Sequence, residues 1–207
     1  MMTSAALAVT LLRHGEVEGY AHAFLGERDP PLSAAGWGQL ARALAAVDVP
    51  PVTAIACSPR VRCRAFAERL AAERSLALDV LPALAEMRFG EWEGLSAVEV
   101  AARDPARLAA FQADPSRTAP PGGEPYLDFA QRVRAGFAAW TRGRRGHALV
   151  VTHAGVIRAL LGDCLDLAPA HLARIALPPA AVCRLSLLDG EPPVLLALNF
   201  AVAPCAA

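Results

Sequence analysis

Two apolar runs that each end in a histidine set the strongest limit on how this chain folds. Leu7 to Leu12 leads straight into Arg13-His14-Gly15-Glu16, and His147 to Thr152 leads into His153-Ala154-Gly155. Apolar runs this short, closed by Gly-containing loops, are the pattern of strands buried on both faces of a parallel sheet. Val52 to Cys57 is a further strand, and Leu76 to Leu81 reads as a shorter one. Helical segments separate these runs. Ala34 to Val47 places Leu40, Leu44 and Val47 on one face after Ser33 as N-cap. Ser58-Pro59 supplies an N-cap and a proline at the first helical position for a helix reaching about Arg74. Ser96 to Asp114 predicts two short helices split around Asp104-Pro105, and Pro125 to Trp140 and Gly155 to Leu165 predict two more. Val182 to Leu188 and Val194 to Phe200 form a closing pair of strands joined by a turn.

Alternating strands and helices define an α/β fold, a three-layer α/β/α sandwich with a mostly parallel central sheet. There is no internal repeat, linker or low-complexity tract, which predicts a single domain over residues 1–207. Ligands of such sheets bind beyond the carboxyl ends of the strands. Arg13-His14, Ser58 to Arg62 and His153 all follow directly after strands, so this topology gathers them on one edge.

Composition removes several functions. Hydrophobic residues make up 55% and charged residues 19%, which predicts a large buried core. The formal net charge is zero, so the chain lacks the basic excess of a nucleic-acid or membrane-surface binder. All 20 basic residues are arginine, which excludes Schiff-base lysines and a P-loop lysine. Cys57, Cys63, Cys164, Cys183 and Cys205 are odd in number and lack paired short spacing, so neither a zinc site nor a disulfide framework fits. They read as buried or half-buried thiols of a cytoplasmic protein. The run from Ala5 to Leu12 is too short to span a membrane and lacks a basic flank and a cleavage site.

A lone histidine after a strand is usually a structural loop residue; three further features change its meaning here. Ser58-Pro59-Arg60-Val61-Arg62-Cys63-Arg64 brings several guanidinium groups to a helix start, with Arg62 facing inward and Arg60 and Arg64 solvated. His153 sits in a strand-to-helix turn whose backbone N–H groups suit an anion. Glu86 precedes Phe89-Gly90-Glu91-Trp92-Glu93-Gly94, and an apolar, Trp-containing surround raises a carboxyl pKa toward that of an acid catalyst. His22 reads as an exposed loop residue, and His147 and His171 as surface residues. Trp92 packs the acid-bearing loop.

Taken in order, these motifs resemble a known family. Arg13-His14-Gly15-Glu16, Gly26-x-x-Asp29-x-x-Leu32, Ser58-Pro59-x-x-Arg62, Glu86 before Phe89-Gly90-x-Trp92-Glu93-Gly94, Pro121-Gly122-Gly123-Glu124 and Thr152-His153-Ala154-Gly155 are similar to those of the histidine phosphatases, the phosphoglycerate mutase-like enzymes. The resemblance implies a metal-independent phosphomonoesterase that needs no cofactor and acts on a small phosphate monoester. His14 would be the nucleophile, forming a phosphohistidine. Arg13, Arg62 and His153 would bind the phosphoryl oxygens, with His153 counted among the catalytic groups, and Glu86 would be the general acid and base.

Arg88-Phe89-Gly90 and the short chain look like the phosphatase branch, most similar to the alpha-ribazole phosphatases of cobalamin assembly. A broad-specificity phosphatase, a phosphoglycerate mutase and a non-catalytic phospho-ligand binder stand as alternatives. Relatives often carry Thr, Asn and Gln where this chain has Val17, Tyr20 and Leu25, which puts substrate contacts in question. The two closing strands offer either a homodimer edge or an internal sheet edge.

Overall fold

The computed structural model describes residues 6–47 and 51–200, which leaves Ala5 and Cys205 outside the described residues. One six-stranded sheet runs through it. β1 (Leu7–Arg13) lies at its centre, parallel to β4 (Gly146–Thr152) on one side and antiparallel to β5 (Val182–Leu187) on the other. Beyond β4 come β2 (Ala54–Cys57) and β3 (Leu78–Val80), both parallel, and beyond β5 comes the antiparallel edge strand β6 (Val194–Leu198). The order is β3-β2-β4-β1-β5-β6.

Side-chain alternation divides the strands between two cores. Val9 and Leu11 of β1 with Ala148 and Val150 of β4 face α5 (Tyr126–Thr141) and α6 (Ala154–Cys164), meeting Phe129, Val133 and Ile157. Leu12, Leu149 and Val151 face α1 (Ala34–Val47) and α2 (Val61–Arg74), meeting Leu40, Phe66 and Leu70. The chain is a three-layer α/β/α sandwich, as the strand–helix alternation predicts. The split helices are present as α3 (Ala97–Arg103) and α4 (Pro105–Ala113), with a Ser96–Glu99 capping box and Asp104 accepting from the Arg107 amide. Their Val100 and Leu108 join Trp92 of the preceding segment in a third, smaller cluster.

Several sequence expectations need correction. β2 begins at Ala54 and β3 spans three residues, both shorter than their apolar runs. Ser58 does not cap α2, which starts at Val61 after Arg60; its hydroxyl is turned into the interior. The cap comes from a distant loop instead, with both Asp29 carboxylate oxygens accepting from the Val61 amide at 2.9 Å. His147 is not a surface residue: it is 1% exposed on β4 and its Nε2 bonds Thr10 Oγ1 at 2.8 Å. Nothing local marks it, because its partner is 137 residues away. Ser33 does cap α1, accepting from the Gly36 amide at 3.0 Å.

Cys57, Cys63 and Cys183 are buried free thiols and Cys164 is half-buried. Burial pushes Cys57 and Cys183 up to about 12, so both stay protonated. No helix among the described residues is long and apolar enough to cross a membrane.

The loop after β1 is seated by two glycines. A Cβ on Gly36 would lie 2.1 Å from the Glu16 carbonyl oxygen, and one on Gly15 would lie 2.3 Å from that of Gly36. Both clashes are with backbone, which has no rotamer to yield. Gly36→Ala is expected to cost about 3 kcal/mol of stability. A urea titration reads this as a lowered midpoint with an unchanged slope; an unchanged midpoint would refute the close contact.

Candidate active site

The parallel register brings the carboxyl ends of three strands together. Arg13 pairs with Thr152 across β1 and β4, and the His14 amide continues the ladder to the Thr152 carbonyl at 2.9 Å. The Ser58 amide does the same from β2 to Val151 at 3.0 Å. His14, His153 and Ser58 therefore emerge side by side. The two imidazole rings stand edge to face with centroids 5.3 Å apart.

His14 is 8% exposed and its Nδ1 lies 2.8 Å from the Gly15 carbonyl. A carbonyl only accepts, so Nδ1 carries the proton and, in the neutral ring, Nε2 keeps the lone pair. Neutrality is enforced by the surroundings. Burial first, and then the nearby charges of Arg13 and Arg62, hold His14 well below the ordinary imidazole value. His153 is held down in the same way, by burial and then by Arg62. Its Nε2 bonds Ser58 Oγ at 2.7 Å, and Cys63 Sγ lies 3.6 Å from the same nitrogen.

Arg62 is 0% exposed, a guanidinium carried wholly inside the protein. Its Nη1 donates to the Arg28 carbonyl at 2.7 Å and to Asp29 Oδ1 at 3.3 Å, and its Nη2 donates to the carbonyls of Leu25 and Gly26. Arg13 donates Nη1 to the Leu177 carbonyl. The Nε–H groups of both arginines are buried with no hydrogen-bond partner among the described residues. Burial brings Arg13 down to about 10, with Glu86 raising it and Arg158 and Arg62 lowering it further. Uncommitted cationic donors beside a neutral imidazole make a cradle for an anion.

Glu86 closes the opposite side. Its Oε2 accepts from the Gly155 amide at 3.0 Å and its Oε1 from the Met87 amide at 3.0 Å. The Gly155 amide at the α6 N-terminus, where the sequence suggests room for an anionic ligand, thus donates to Glu86. Its immediate partners are these amides rather than an apolar, Trp-containing surround. Trp92, 3% exposed, packs instead against Phe24 and Phe111.

Arg13, His14 and Glu86 line one cavity of about 750 Å³, while Arg62 and His153 sit beneath it at 0% exposure. The five residues singled out from the sequence form one cluster. Arg64 is exposed as expected, whereas Arg60 is half-buried with Nη1 3.3 Å from the Glu27 carbonyl. His22 is exposed at the cavity mouth and His171 is exposed elsewhere. Among the described residues no group of three or more His, Cys, Asp or Glu could hold a metal ion.

Two supports have roles that the sequence motifs alone do not assign. The Glu93 carboxylate accepts from the amides of Glu27 (2.7 Å), Arg28 (2.7 Å) and Phe89 (3.2 Å), fixing the loop whose carbonyls grip Arg62. Arg132 of α5 pairs with Glu124 at 2.7 Å and donates to the carbonyls of Ala83, Ala85 and Glu86 at 2.9, 2.9 and 3.1 Å. Burial opposes ionisation of Glu124, but its bonds to Arg132 outweigh this and hold it below the usual carboxylate value. Only the contact with a segment some 46 to 49 residues distant reveals Arg132.

Residues 9–200 match a family described as the histidine phosphatase superfamily (branch 1). A Mycobacterium tuberculosis protein described as bifunctional is 37% identical over 177 residues, covering 83% of this chain and 48% of that protein. The chain thus spans about half the length of the mycobacterial relatives it matches. The adenosylcobalamin/alpha-ribazole phosphatase of Salmonella typhimurium is 29% identical over 164 residues, covering 78% of this chain and 81% of that one. The structure of a mycobacterial glucosyl-3-phosphoglycerate phosphatase superposes with a TM-score of 0.80 at 26% identity, covering 94% and 99% of the two chains.

Two outcomes are expected. Arg132→Met strands the buried Glu124 carboxylate and should cost about 3 kcal/mol, with Glu124→Gln in the same chain recovering more than half in urea titrations. The second concerns pH. The unfolded chain protonates its histidines below about 6.5, whereas the folded chain keeps His14 and His153 neutral well below that. Protons therefore favour the unfolded state, and the contribution is intact above that pH and lost as the pH falls beneath it. The urea midpoint should drop between pH 7.5 and 5.5, and drop less in His14→Gln; equal drops would remove His14 as a cause. By the match of its residues 9–200 and the ordered motifs that meet in this cluster, the chain belongs to the histidine phosphatase superfamily.

Proposed function

We propose that this chain is a metal-independent phosphomonoesterase that transfers the phosphoryl group of a small ester to His14 and then to water. The observation that carries the reading is the pair of buried, uncommitted Nε–H donors of Arg13 and Arg62 beside a histidine kept neutral with its Nε2 lone pair available. A non-catalytic binder would need the donors but not the neutral nucleophile or the carboxylate opposite it.

His14 Nε2 attacks phosphorus and the bond to the leaving oxygen breaks. The protonated Glu86 gives its proton to that oxygen. Arg13, Arg62 and His153 hold the phosphoryl oxygens, the two arginines placing positive charge where a metal ion stands in other phosphoryl-transfer sites. Water then attacks the phosphohistidine while Glu86 takes its proton back, the P–N bond breaks, and inorganic phosphate leaves. His153 is directed to its place by Ser58, and Glu86 by the Gly155 amide and by Arg132 through the backbone.

For the substrate, alpha-ribazole 5′-phosphate is the reading we favour, supported by the relatives described as adenosylcobalamin/alpha-ribazole phosphatases. The mycobacterial glucosyl-3-phosphoglycerate phosphatase, equally similar in fold, keeps a sugar-acid ester as the second candidate.

A chromogenic phosphate ester tested in excess EDTA should release phosphate at the same rate as without chelator. His14→Ala should lose about 10⁴-fold or more in kcat. Brief mixing with labelled ester and acid-free quenching should trap an acid-labile, alkali-stable phosphoprotein in the native chain alone. Full activity of His14→Ala would end the proposal.

A further inference from the structure

Beyond the phosphate cradle, the cavity has an unusual wall. Both tyrosines and four of the seven phenylalanines of the chain line it: Tyr20, Phe24, Phe89, Phe111, Tyr126 and Phe129. Phe24, Phe89 and Phe111 are half-buried and packed in series, tilted by 44° at 4.9 Å between ring centroids for the first pair and edge to face at 6.5 Å for the second. Trp92 closes the back of the stack, 5.7 Å from Phe24 and 5.4 Å from Phe111. These rings come from three separate segments, the loop after β1, the loop after Glu86, and α4. Mutual packing fixes their orientation, so a flat ligand would meet a rigid aromatic surface at little ordering cost.

The polar groups on the wall are few. Tyr126 is half-buried and packs on Phe129 at 6.1 Å, and its hydroxyl has no hydrogen-bond partner among the described residues. Burial pushes it up to about 12, so it remains a neutral donor. Gln112 of α4 also lines the cavity and is exposed. Outside Arg13, His14 and Glu86, the lining carboxylate and guanidinium are Glu16 and Arg158, which oppose one another in charge. Glu16 is engaged by Gln39 at 2.6 Å, and Arg158 donates both Nε and Nη2 to the Ile175 carbonyl at 3.1 and 2.9 Å. Glu16 would repel an acidic leaving group, and two of the Arg158 donors are already committed to one carbonyl.

We infer that this wall is a leaving-group subsite for an uncharged, planar heteroaromatic moiety, held against Phe24, Phe89 and Phe111 with the Tyr126 hydroxyl as its hydrogen-bonding partner. The inference rests on the phosphomonoesterase reading and narrows it, since it separates aromatic esters from sugar-acid esters. It does not depend on whether the phosphate is attached to the ring itself or to a sugar that carries the ring.

The test is a comparison of four esters on the whole chain: 1-naphthyl phosphate, a nucleoside 5′-monophosphate, glycerol phosphate and 3-phosphoglycerate. The two aromatic esters should exceed glycerol phosphate in kcat/KM by about tenfold or more, the gain appearing in KM. Phe111→Leu should shrink that ratio for both aromatic esters, and Tyr126→Phe should shrink it for the nucleotide more than for the naphthyl ester. Equal values for all four esters would overturn the inference while leaving the phosphatase standing. A preference for 3-phosphoglycerate would overturn it in favour of an acid-binding role for Arg158. Release from none of them would remove the phosphatase reading instead. Calorimetric titration of the same esters would then decide the subsite separately, with tighter binding of the aromatic pair supporting it and equal binding overturning it.

Discussion

The structure is organised around one costly decision, the burial of a full guanidinium charge at Arg62. Such a group tolerates the interior only if its donors find acceptors. The chain supplies them from the backbone, with carbonyls of Leu25, Gly26 and Arg28, and adds one carboxylate, Asp29. That loop must then be held in shape, which Glu93 does through three amides. Gly26 is required because a side chain there would collide with Glu93 and the Met87 carbonyl, at 2.4 Å each. The motif residues around positions 26–29 and 89–94 thus serve one purpose. They let a cation remain buried with a donor to spare.

A similar arrangement holds the other side of the cluster. The Glu124–Arg132 pair is itself largely enclosed, yet all three Arg132 hydrogen bonds beyond Glu124 go to the backbone of one short segment, Ala83 to Glu86. The carboxylate of Glu86 is therefore placed from behind by α5 and from in front by the start of α6. Neither support touches the cavity through its own charge. Geometry at the centre is inherited from ion pairs and amides one layer out.

How much of this was legible in the sequence follows from the range of each interaction. The strands, the α/β layering and the convergence of His14, Arg62 and His153 were readable because they depend on local periodicity and on the topology of parallel sheets. Glu86 was readable through its motif. The roles of Asp29 as a remote cap, Ser58 as the partner of His153, and His147 as a buried residue were not, since each depends on a contact 32 to 137 residues away. Ser58-Pro59 illustrates the difference. By propensity it is a helix start, but the strand register delivers the Ser58 hydroxyl to His153 first, and the helix begins later.

The hydrogen bond from His14 Nδ1 to the Gly15 carbonyl has one more consequence. Because donor and acceptor belong to adjacent residues, ring orientation is set within a dipeptide and not by a distant partner that might move. An imidazole has two chemically distinct sites for phosphorylation, and the two adducts differ in their stability and their spectra. Here the choice is made before any substrate arrives. Any electrophile reaching this ring would meet the lone pair on Nε2, the nitrogen remote from the backbone, and the carbonyl of the loop glycine beside it, seated against α1, is the reason.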